Sequence, residues 1–225
     1  MGQEPDNPSG ESKTVRSSQA GVHPGLSARV RRQARAPWRK PVQDVDRPAL
    51  ASIEAALEGH SGPVMLDSFC GTGMSLSLIA QANPEALVIG VDQSAHRLSR
   101  SPDLSHNAVL VRAHCEAIWR HLAVSGVRLA QHTIFYPNPW PKPAHLGRRI
   151  HGHPAFSLLP VLGGHLELRS NWQVYVEEFG VALHLRGQAS RVAVVPKADT
   201  PITLFERKYR ASGHTLWRLD AHFRT

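Results

Sequence analysis

Short apolar runs alternate with amphipathic stretches along most of this chain. Seven of these runs are four to seven residues long and rich in Val, Ile and Leu, which is typical of strands buried on both faces. They occupy residues 63–67, 86–92, 108–111, 131–136, 164–168, 191–195 and 215–219. Between some of them, apolar residues recur at helical spacing, as in residues 47–57, which end before Gly59, and in residues 74–82, which end before Asn83.

Strands separated by helical stretches predict βαβ units and a parallel sheet covered on both faces. Because the crossovers are right-handed, the expected fold is a Rossmann-like, doubly wound, seven-stranded α/β sandwich. In such a sheet, ligands bind outside the carboxyl ends of the strands. The sequence therefore predicts one α/β domain over residues 46–225, with its ligand site along that edge.

Composition and charge separate the N-terminal segment from this domain. Hydrophobic residues make up 41% of the 225 residues, which is enough for one globular core. The net charge is +8, but residues 1–40 carry eight basic and three acidic groups and so hold +5 of it. Because this segment is polar and rich in Ser, Gly, Pro and Gln, we expect residues 1–45 to form a disordered basic tail. A merely solvated tail and a tail that adds unspecific affinity for phosphates both fit this composition.

The sequence also excludes several classes of protein. It has no run of about 18 apolar residues, so no transmembrane helix is expected, and its N terminus lacks the apolar core of a secretory signal. Cys70 and Cys115 are the only cysteines, too few for a disulfide framework or a four-cysteine zinc site. The fourteen histidines show no metal-ligand spacing, so no metal is expected. These features predict a soluble protein of the cytoplasm.

A glycine loop follows the first predicted strand, with an acid on either side. Asp67 precedes Gly71 and Gly73, and Asp92 ends the second strand. Leu76 stands where a dinucleotide fingerprint needs a third glycine, which argues against a pyrophosphate. A carboxylate before the loop repels phosphate but favours an aminium group, and Asp92 is suited to ribose hydroxyls. S-adenosylmethionine has this combination of groups, whereas the alternative is that both acids only cap strands or helices.

The stretch after the fourth predicted strand, residues 135–142, carries three prolines within five residues. These prolines prevent helix formation and strand pairing, so a rigid extended loop is expected. Asn138 lies in this loop, and its amide has both donors and an acceptor for the edge of a planar base. Lys142, Arg148 and Arg149 follow and could contact phosphates, although the two arginines also fit a solvated start of a helix.

These residues resemble the tRNA (guanine-N7-)-methyltransferase family, which consists of class I S-adenosylmethionine-dependent methyltransferases. Residues 136–142, Tyr-Pro-Asn-Pro-Trp-Pro-Lys, followed by a histidine and two arginines, are similar to the family's acid-Pro-Trp-x-Lys motif. Residues 171–175, Asn-Trp-Gln-Val-Tyr, are similar to an Asp-Trp-x-x-Tyr segment. Residues 203–206, Thr-Leu-Phe-Glu, match a Thr-x-Phe-Glu signature. The resemblance extends from about Gly62 to the end of the chain.

The resemblance implies transfer of a methyl group from S-adenosylmethionine to N7 of a guanine in tRNA, with Asn138 at the catalytic position. The implied cofactor-binding residues are Asp67, Gly71, Gly73, Asp92, His114 and Asn138. The implied substrate-binding residues are Lys142, Arg148, Arg149, Asn171, Thr203 and Glu206. Family acids are replaced at three of these positions, by His114, Asn138 and Asn171, and Phe69 replaces the first glycine of the loop. The chain is therefore identified as a divergent member.

Neutral residues at those positions are compatible with the reaction. N7 of guanine attacks through an in-plane lone pair and loses no proton, so the enzyme needs no general base and mainly aligns the reactants. Without the carboxylate that would stabilise the cationic product, Asn138 is expected to give a slower enzyme. Two alternatives fit the same residues: a methyltransferase for a small molecule, without salt-dependent RNA affinity, and a non-catalytic RNA-binding paralogue, without turnover. A monomer and a homodimer are both compatible with the sequence.

Overall fold

The computed structural model describes residues 12–36 and 38–223. Within them, one sheet contains β1 (Val64–Ser68), β2 (Leu87–Asp92), β3 (Ala108–Arg112), β4 (Gln131–Phe135), β5 (Gly164–Ser170), β6 (Ser190–Val194) and β7 (Trp217–Phe223). The α-helices are α1 (Leu26–Ala34), α2 (Arg47–Leu57), α3 (Met74–Ala82), α4 (Ala95–Leu98), α5 (Cys115–Val124), α6 (Leu158–Leu162), α7 (Gln173–His184) and α8 (Leu204–Ala211). Short 3-10 helices lie at Asp44–Asp46, Pro143–Arg148, Ile150–Gly152 and Pro154–Ser157. The helices α2 and α3 coincide with the two helical stretches predicted from the sequence, and β1 to β6 lie within two residues of the predicted runs.

The strand order is β3-β2-β1-β4-β5-β7-β6, which confirms the predicted seven-stranded α/β fold. The strands β1 to β5 pair in parallel, but β7 is antiparallel to both β5 and β6. The prediction of a wholly parallel sheet was therefore wrong for β7. The connection from β6 through α8 stays at the carboxyl edge of the sheet, so β7 starts at that edge and runs back between its neighbours. Its bounds also lie further along the chain than the predicted run at residues 215–219.

The core lies between the sheet and the helices on its two faces. Leu66 of β1, Ile89 of β2 and Ile134 of β4 are at most 1% exposed, and Phe179 of α7 packs into the same cluster. This arrangement leaves the carboxyl ends of the central strands to carry loops. No helix in the described part of the chain combines the length and apolar character needed to cross a bilayer.

The segment before this domain is packed against it through α1 and Trp38, which corrects the prediction of disorder for residues 12–36 and 38–45 of the predicted tail. Leu26 and Val30 are one helical turn apart on α1, and each is only 1% exposed and belongs to the main core. A short helix with one apolar face can be stabilised by tertiary packing even when its composition is polar. Residues 1–11 and residue 37 of the predicted tail lie outside the described residues.

Candidate functional site

The loop between β1 and α3 turns through left-handed backbone at its glycines. The φ angle is 63° at Gly71 and 78° at Gly73, a region that favours residues without a Cβ. A Cβ added to Gly71 would meet only the side chain of Arg97, at 4.0 Å. At Gly73 an added Cβ would meet Ser101 Oγ at 3.4 Å and Leu110 Cδ2 at 3.6 Å. The turn therefore has room beside Gly71 but is packed at Gly73.

The same loop contains a left-handed residue that is not glycine. Phe69 has φ 61°, a conformation that costs an L-residue with a side chain about 1–2 kcal/mol. Its N–H donates to Cys115 Sγ at 3.3 Å, and its ring meets Trp119 edge-on with centroids 6.0 Å apart. These contacts hold Phe69 in the conformation that a glycine would adopt more readily.

Asp67 ends β1 as a fully buried carboxylate. Its oxygens accept hydrogen bonds from Ser75 Oγ at 2.5 Å and Thr133 Oγ1 at 2.9 Å. The pKa of Asp67 is raised to about 6, mainly by burial. The two hydrogen bonds oppose this shift, and the nearby charge of Asp92 adds to it. A cation beside this carboxylate would favour its charged form. The site is therefore electrostatically suited to a positively charged group.

Asp92, at the end of the neighbouring strand β2, holds the glycine loop in place. Its Oδ2 accepts from the backbone N–H of Gly71 at 3.0 Å, and its Oδ1 accepts from that of Ser94 at 2.8 Å. Arg97 Nη2 lies 3.3 Å from Oδ1, an ion pair that the sequence analysis did not anticipate. Asp92 thus shapes the loop in addition to lying at the ligand edge.

His114 stands at the start of α5 with a buried carboxylate behind it. Asp46 Oδ1 accepts from the backbone N–H of His114 at 2.9 Å and lies 3.0 Å from its Nδ1. The side chain of His114 is 36% exposed, whereas that of Asp46 is 1% exposed. A neutral ring with its proton on Nδ1, donated to Asp46, leaves Nε2 as an acceptor. This histidine can therefore accept the kind of hydrogen bond that a carboxylate would accept.

The proline-rich loop after β4 also contains left-handed residues. The φ angle is 52° at Tyr136 and 47° at Trp140. Between them, Asn138 is exposed, and its Oδ1 accepts from the backbone N–H of Trp140 at 3.2 Å. This bond orients the amide so that the Nδ2 donors of Asn138 are left for another partner.

The three predicted RNA-contacting cations lie in different environments. Lys142 and Arg148 are exposed, and the guanidinium of Arg148 lies 4.9 Å from the centre of the Trp140 ring. Arg149 is fully buried, with Nη1 2.5 Å from Glu178 Oε2. The prediction that Arg149 contacts the RNA backbone is wrong, because its guanidinium is enclosed in an ion pair within the protein.

Glu178 of α7 connects the N-terminal segment to the region after the proline-rich loop. In addition to Arg149, its carboxylate accepts from Gln19 Nε2 at 2.6 Å and from the backbone N–H of His23 at 2.8 Å, and it lies 2.8 Å from His151 Nε2. Burial alone would raise the pKa of Glu178, but His151, the His23 N–H and Arg149 together lower it to about 2. This group fixes both segments beside the candidate site.

Two predicted substrate residues lie at the start of α8. Thr203 Oγ1 accepts from the backbone N–H of Glu206 at 2.9 Å and so caps the helix. Glu206 has no exposed surface, and its carboxylate lies 3.1 Å from Arg169 Nη1 and 2.7 Å from Arg210 Nη2. Glu206 therefore anchors α8 through buried ion pairs, and its direct contact with substrate stays a prediction.

Asn171 follows β5 at the same edge and is linked to the N-terminal segment. Its Nδ2 lies 3.2 Å from His214 Nδ1, and His214 Nε2 lies 2.9 Å from the Ser12 carbonyl. Ser12 in turn donates its N–H to Ser212 Oγ at 2.8 Å. Sequence reasoning missed Ser12 and His214, because 202 positions separate them and no motif includes either residue.

Sequence comparison places the chain among methyltransferases. A family model described as "Putative methyltransferase" matches residues 61–219. The tRNA (guanine-N(7)-)-methyltransferase of Thiobacillus denitrificans is 30% identical over 185 residues, covering 77% of this chain and 80% of that protein. The tRNA (guanine-N(7)-)-methyltransferase of Sodalis glossinidius is 28% identical over 193 residues, covering 80% of each chain.

Solved structures of low sequence identity share the fold. A variant of the 16S rRNA (adenine(1408)-N(1))-methyltransferase of Catenulisporales acidiphilia, crystallised with its cosubstrate SAM, has a TM-score of 0.55 at 21% identity and covers 83% of this chain and 95% of its own. An antibiotic-related methyltransferase has a TM-score of 0.56 at 16% identity, covering 82% and 96% of the two chains. The family match over most of the sequence and the relative at 30% identity together show that this chain belongs to the tRNA (guanine-N7-)-methyltransferase family, of which it is a divergent member.

Proposed function

We propose that this protein transfers a methyl group from S-adenosylmethionine to N7 of a guanine in tRNA. The observation that carries the proposal is that the family match includes the carboxyl edge where the buried Asp67 and Asp92 flank the left-handed glycine turn. The named relatives, which are tRNA (guanine-N(7)-)-methyltransferases, support the choice of reaction and of substrate.

The residues of this edge fit S-adenosylmethionine. Asp67, with its pKa raised to about 6, would gain from a nearby aminium group. The turn at Gly71 and Gly73 would admit the ligand to the backbone, and Asp92 would accept from ribose hydroxyls. His114 Nε2 would accept from the amino group of adenine, while Asp46 holds the ring from behind. When bound, this cofactor supplies a methyl group on a sulfonium, which is electrophilic without further activation.

The target base would lie between the loops that follow β4 and β5. Asn138 has the role of orienting it, because N7 attacks through a lone pair and gives up no proton. Its Nδ2 donors suit guanine O6, which is adjacent to N7 on the base. Phe205, beside Thr203 at the start of α8, is 42% exposed and offers an aromatic surface for stacking.

Exposed cations around this site support an RNA substrate. Lys142 ends the proline-rich loop and Arg148 follows it, and both are exposed, as is Arg16 on the N-terminal segment. Ser17, the next residue, donates its hydroxyl to the Pro141 carbonyl at 2.6 Å, so this segment lies against the same loop. These cations would bind phosphates of the RNA backbone. A tRNA substrate favours the cytoplasm as the place of the reaction.

The cellular test compares modified nucleosides of tRNA from a strain lacking this protein with those of the parent strain. The proposal predicts that 7-methylguanosine is lost by mass spectrometry and that it returns when the wild-type gene is supplied. A gene encoding Asp67→Asn should not restore it. An unchanged nucleoside profile would instead favour a methyltransferase for a small molecule.

A further inference from the structure

We propose that Ser12 and His214 are positioning residues that fix the side-chain amide of Asn171 with its oxygen available to accept a hydrogen bond from guanine. This inference rests on the proposed function, since it takes guanine to be the target base. The family has an acid at the position of Asn171, and the inference explains how an amide at this position recognises guanine.

The contacts of His214 determine the orientation of the amide. The Ser12 carbonyl can only accept, so His214 Nε2, 2.9 Å away, must carry a proton. In a neutral ring Nδ1 is then a lone pair, so the Asn171 atom at 3.2 Å must be the donor Nδ2. The Asn171 Oδ1 acceptor is on the other branch of the amide and is left for a ligand. A reversed amide would oppose two acceptors and lose the bond to the ring.

Neighbouring contacts hold the two positioning residues in place. The His214 ring stacks on Tyr209, with centroids 5.4 Å apart and planes within 10°. The Ser12 N–H donates to Ser212 Oγ at 2.8 Å, and the Ser212 hydroxyl donates to the Lys208 carbonyl at 2.9 Å. These two hydrogen bonds attach the N-terminal segment to the end of α8 and so fix the position of the Ser12 carbonyl beside His214.

Asn138 has the complementary orientation. Its Oδ1 is engaged by the Trp140 N–H at 3.2 Å, so Nδ2 is the group left to donate. The two asparagines follow neighbouring strands, in which Phe135 pairs with Arg169. Guanine presents the O6 acceptor beside the N1–H and N2 amino donors, whereas adenine presents a donor at N6 and an acceptor at N1. One amide donor and one amide acceptor therefore match guanine and oppose adenine.

The replacement of an acid by Asn171 explains why positioning is needed. A carboxylate accepts hydrogen bonds through either oxygen, so its orientation does not matter. An amide accepts at one end only, and a flipped amide would set a donor against guanine N1–H. The dependence on His214 should therefore exist in this chain and disappear when the carboxylate is restored.

The kinetic test compares wild-type protein with His214→Ala, Asn171→Asp and the double variant, measuring kcat and KM for tRNA and the affinity for S-adenosylmethionine. We expect His214→Ala to lower kcat/KM for tRNA about tenfold, mainly through KM, with the cofactor affinity unchanged. In the Asn171→Asp background the same substitution should cost less than about twofold. The control His184→Ala, on an exposed residue of α7, should have no effect. Equal losses in both backgrounds, or a parallel loss of cofactor affinity, would overturn the proposal.

A second measurement tests the geometry without relying on activity. Long-range ¹⁵N–¹H spectra of protein labelled in histidine should show the Nε2–H tautomer at His214, with its signal assigned by its absence from His214→Gln. The Nδ1–H tautomer would overturn the proposed orientation of Asn171. If the expected tautomer is present but wild-type protein makes no 7-methylguanosine, the proposed function fails, and guanine recognition fails with it. A wrong tautomer therefore overturns the orientation of Asn171, whereas missing 7-methylguanosine overturns the proposed function.

Discussion

Arg149 Nη1 lies 2.5 Å from Glu178 Oε2, and neither side chain has any exposed surface. The preceding residue, Arg148, is exposed and lies over the ring of Trp140. Two consecutive arginines of one motif therefore have different roles, because one stabilises the fold and the other is accessible to a polyanion.

These two arginines provide a matched pair of variants. Arg149→Ala leaves Glu178 buried without its guanidinium partner, so we expect the free energy of unfolding to fall by about 3–5 kcal/mol. Arg148→Ala should change it by less than about 0.5 kcal/mol. It should instead weaken tRNA binding and lower the slope of log affinity against log salt concentration by about one.

Denaturant titrations and binding measurements at several salt concentrations test this pair. If Arg149→Ala is as stable as the wild type, the buried ion pair has no structural role. If Arg148→Ala binds tRNA with unchanged affinity and salt dependence, Arg148 does not contact the RNA backbone.

The ionised carboxylate of Asp67 makes the folded protein less stable at neutral pH than it would be with this carboxyl protonated. Its pKa is raised from 3.8 to about 6 on folding, so the folded state binds this proton more tightly than the unfolded state. The contribution of Asp67 to the free energy of unfolding is therefore greatest below pH 3.8, and it is lost as the pH rises through about 6. The full loss is on the order of 3 kcal/mol.

The variant Asp67→Asn should consequently be more stable than the wild type at pH 7.5 and lose this advantage near pH 4. Its affinity for S-adenosylmethionine should fall, because the amide offers no charge to an aminium group. Denaturation at several pH values and calorimetric titration with the cofactor measure both effects, and the exposed Asp103→Asn serves as a control. A variant that is less stable at pH 7.5 or retains full cofactor affinity would contradict this role of Asp67.

The left-handed backbone at Phe69 predicts an unusual order of stabilities. Phe69→Ala and Phe69→Gly both remove the ring contact with Trp119, but only glycine adopts φ 61° without strain from a Cβ. We expect the glycine variant to be about 1 kcal/mol more stable than the alanine variant in thermal or denaturant unfolding. Equal stabilities, or a more stable alanine variant, would show that no strain is stored at this position.

Hydrophobic patterning predicted most of the sheet because buried strands need continuous apolar runs, as β1 and β2 show. The same pattern does not specify direction, which for β7 depends on α8 staying at the carboxyl edge. The packing of α1 was missed because Leu26 and Val30 are two apolar residues in a polar segment. Their burial depends on partners far along the chain, which composition does not reveal.

The candidate site was predictable where motif and strand end coincide, as at Asp67 and Asp92. Exposure was not predictable, because the backbone after the proline-rich loop turns Arg149 inward and leaves Arg148 outside. The contact between Ser12 and His214 joins residues 202 positions apart and has no signal in local sequence. Contacts of this kind emerge only from the folded structure.

The most direct test of the central claim is methyl transfer by the purified protein. Wild-type protein is incubated with unmodified tRNA and S-adenosylmethionine labelled in its methyl group, and the digested nucleosides are separated by mass spectrometry. We expect labelled 7-methylguanosine from the wild type. Asn138→Asp should have a higher kcat, because a carboxylate stabilises the cationic product, but also a higher KM for tRNA, because it cannot donate to guanine O6 as Asn138 Nδ2 does. No labelled 7-methylguanosine from the wild type would contradict the claim, most clearly if Asn138→Asp forms it under the same conditions.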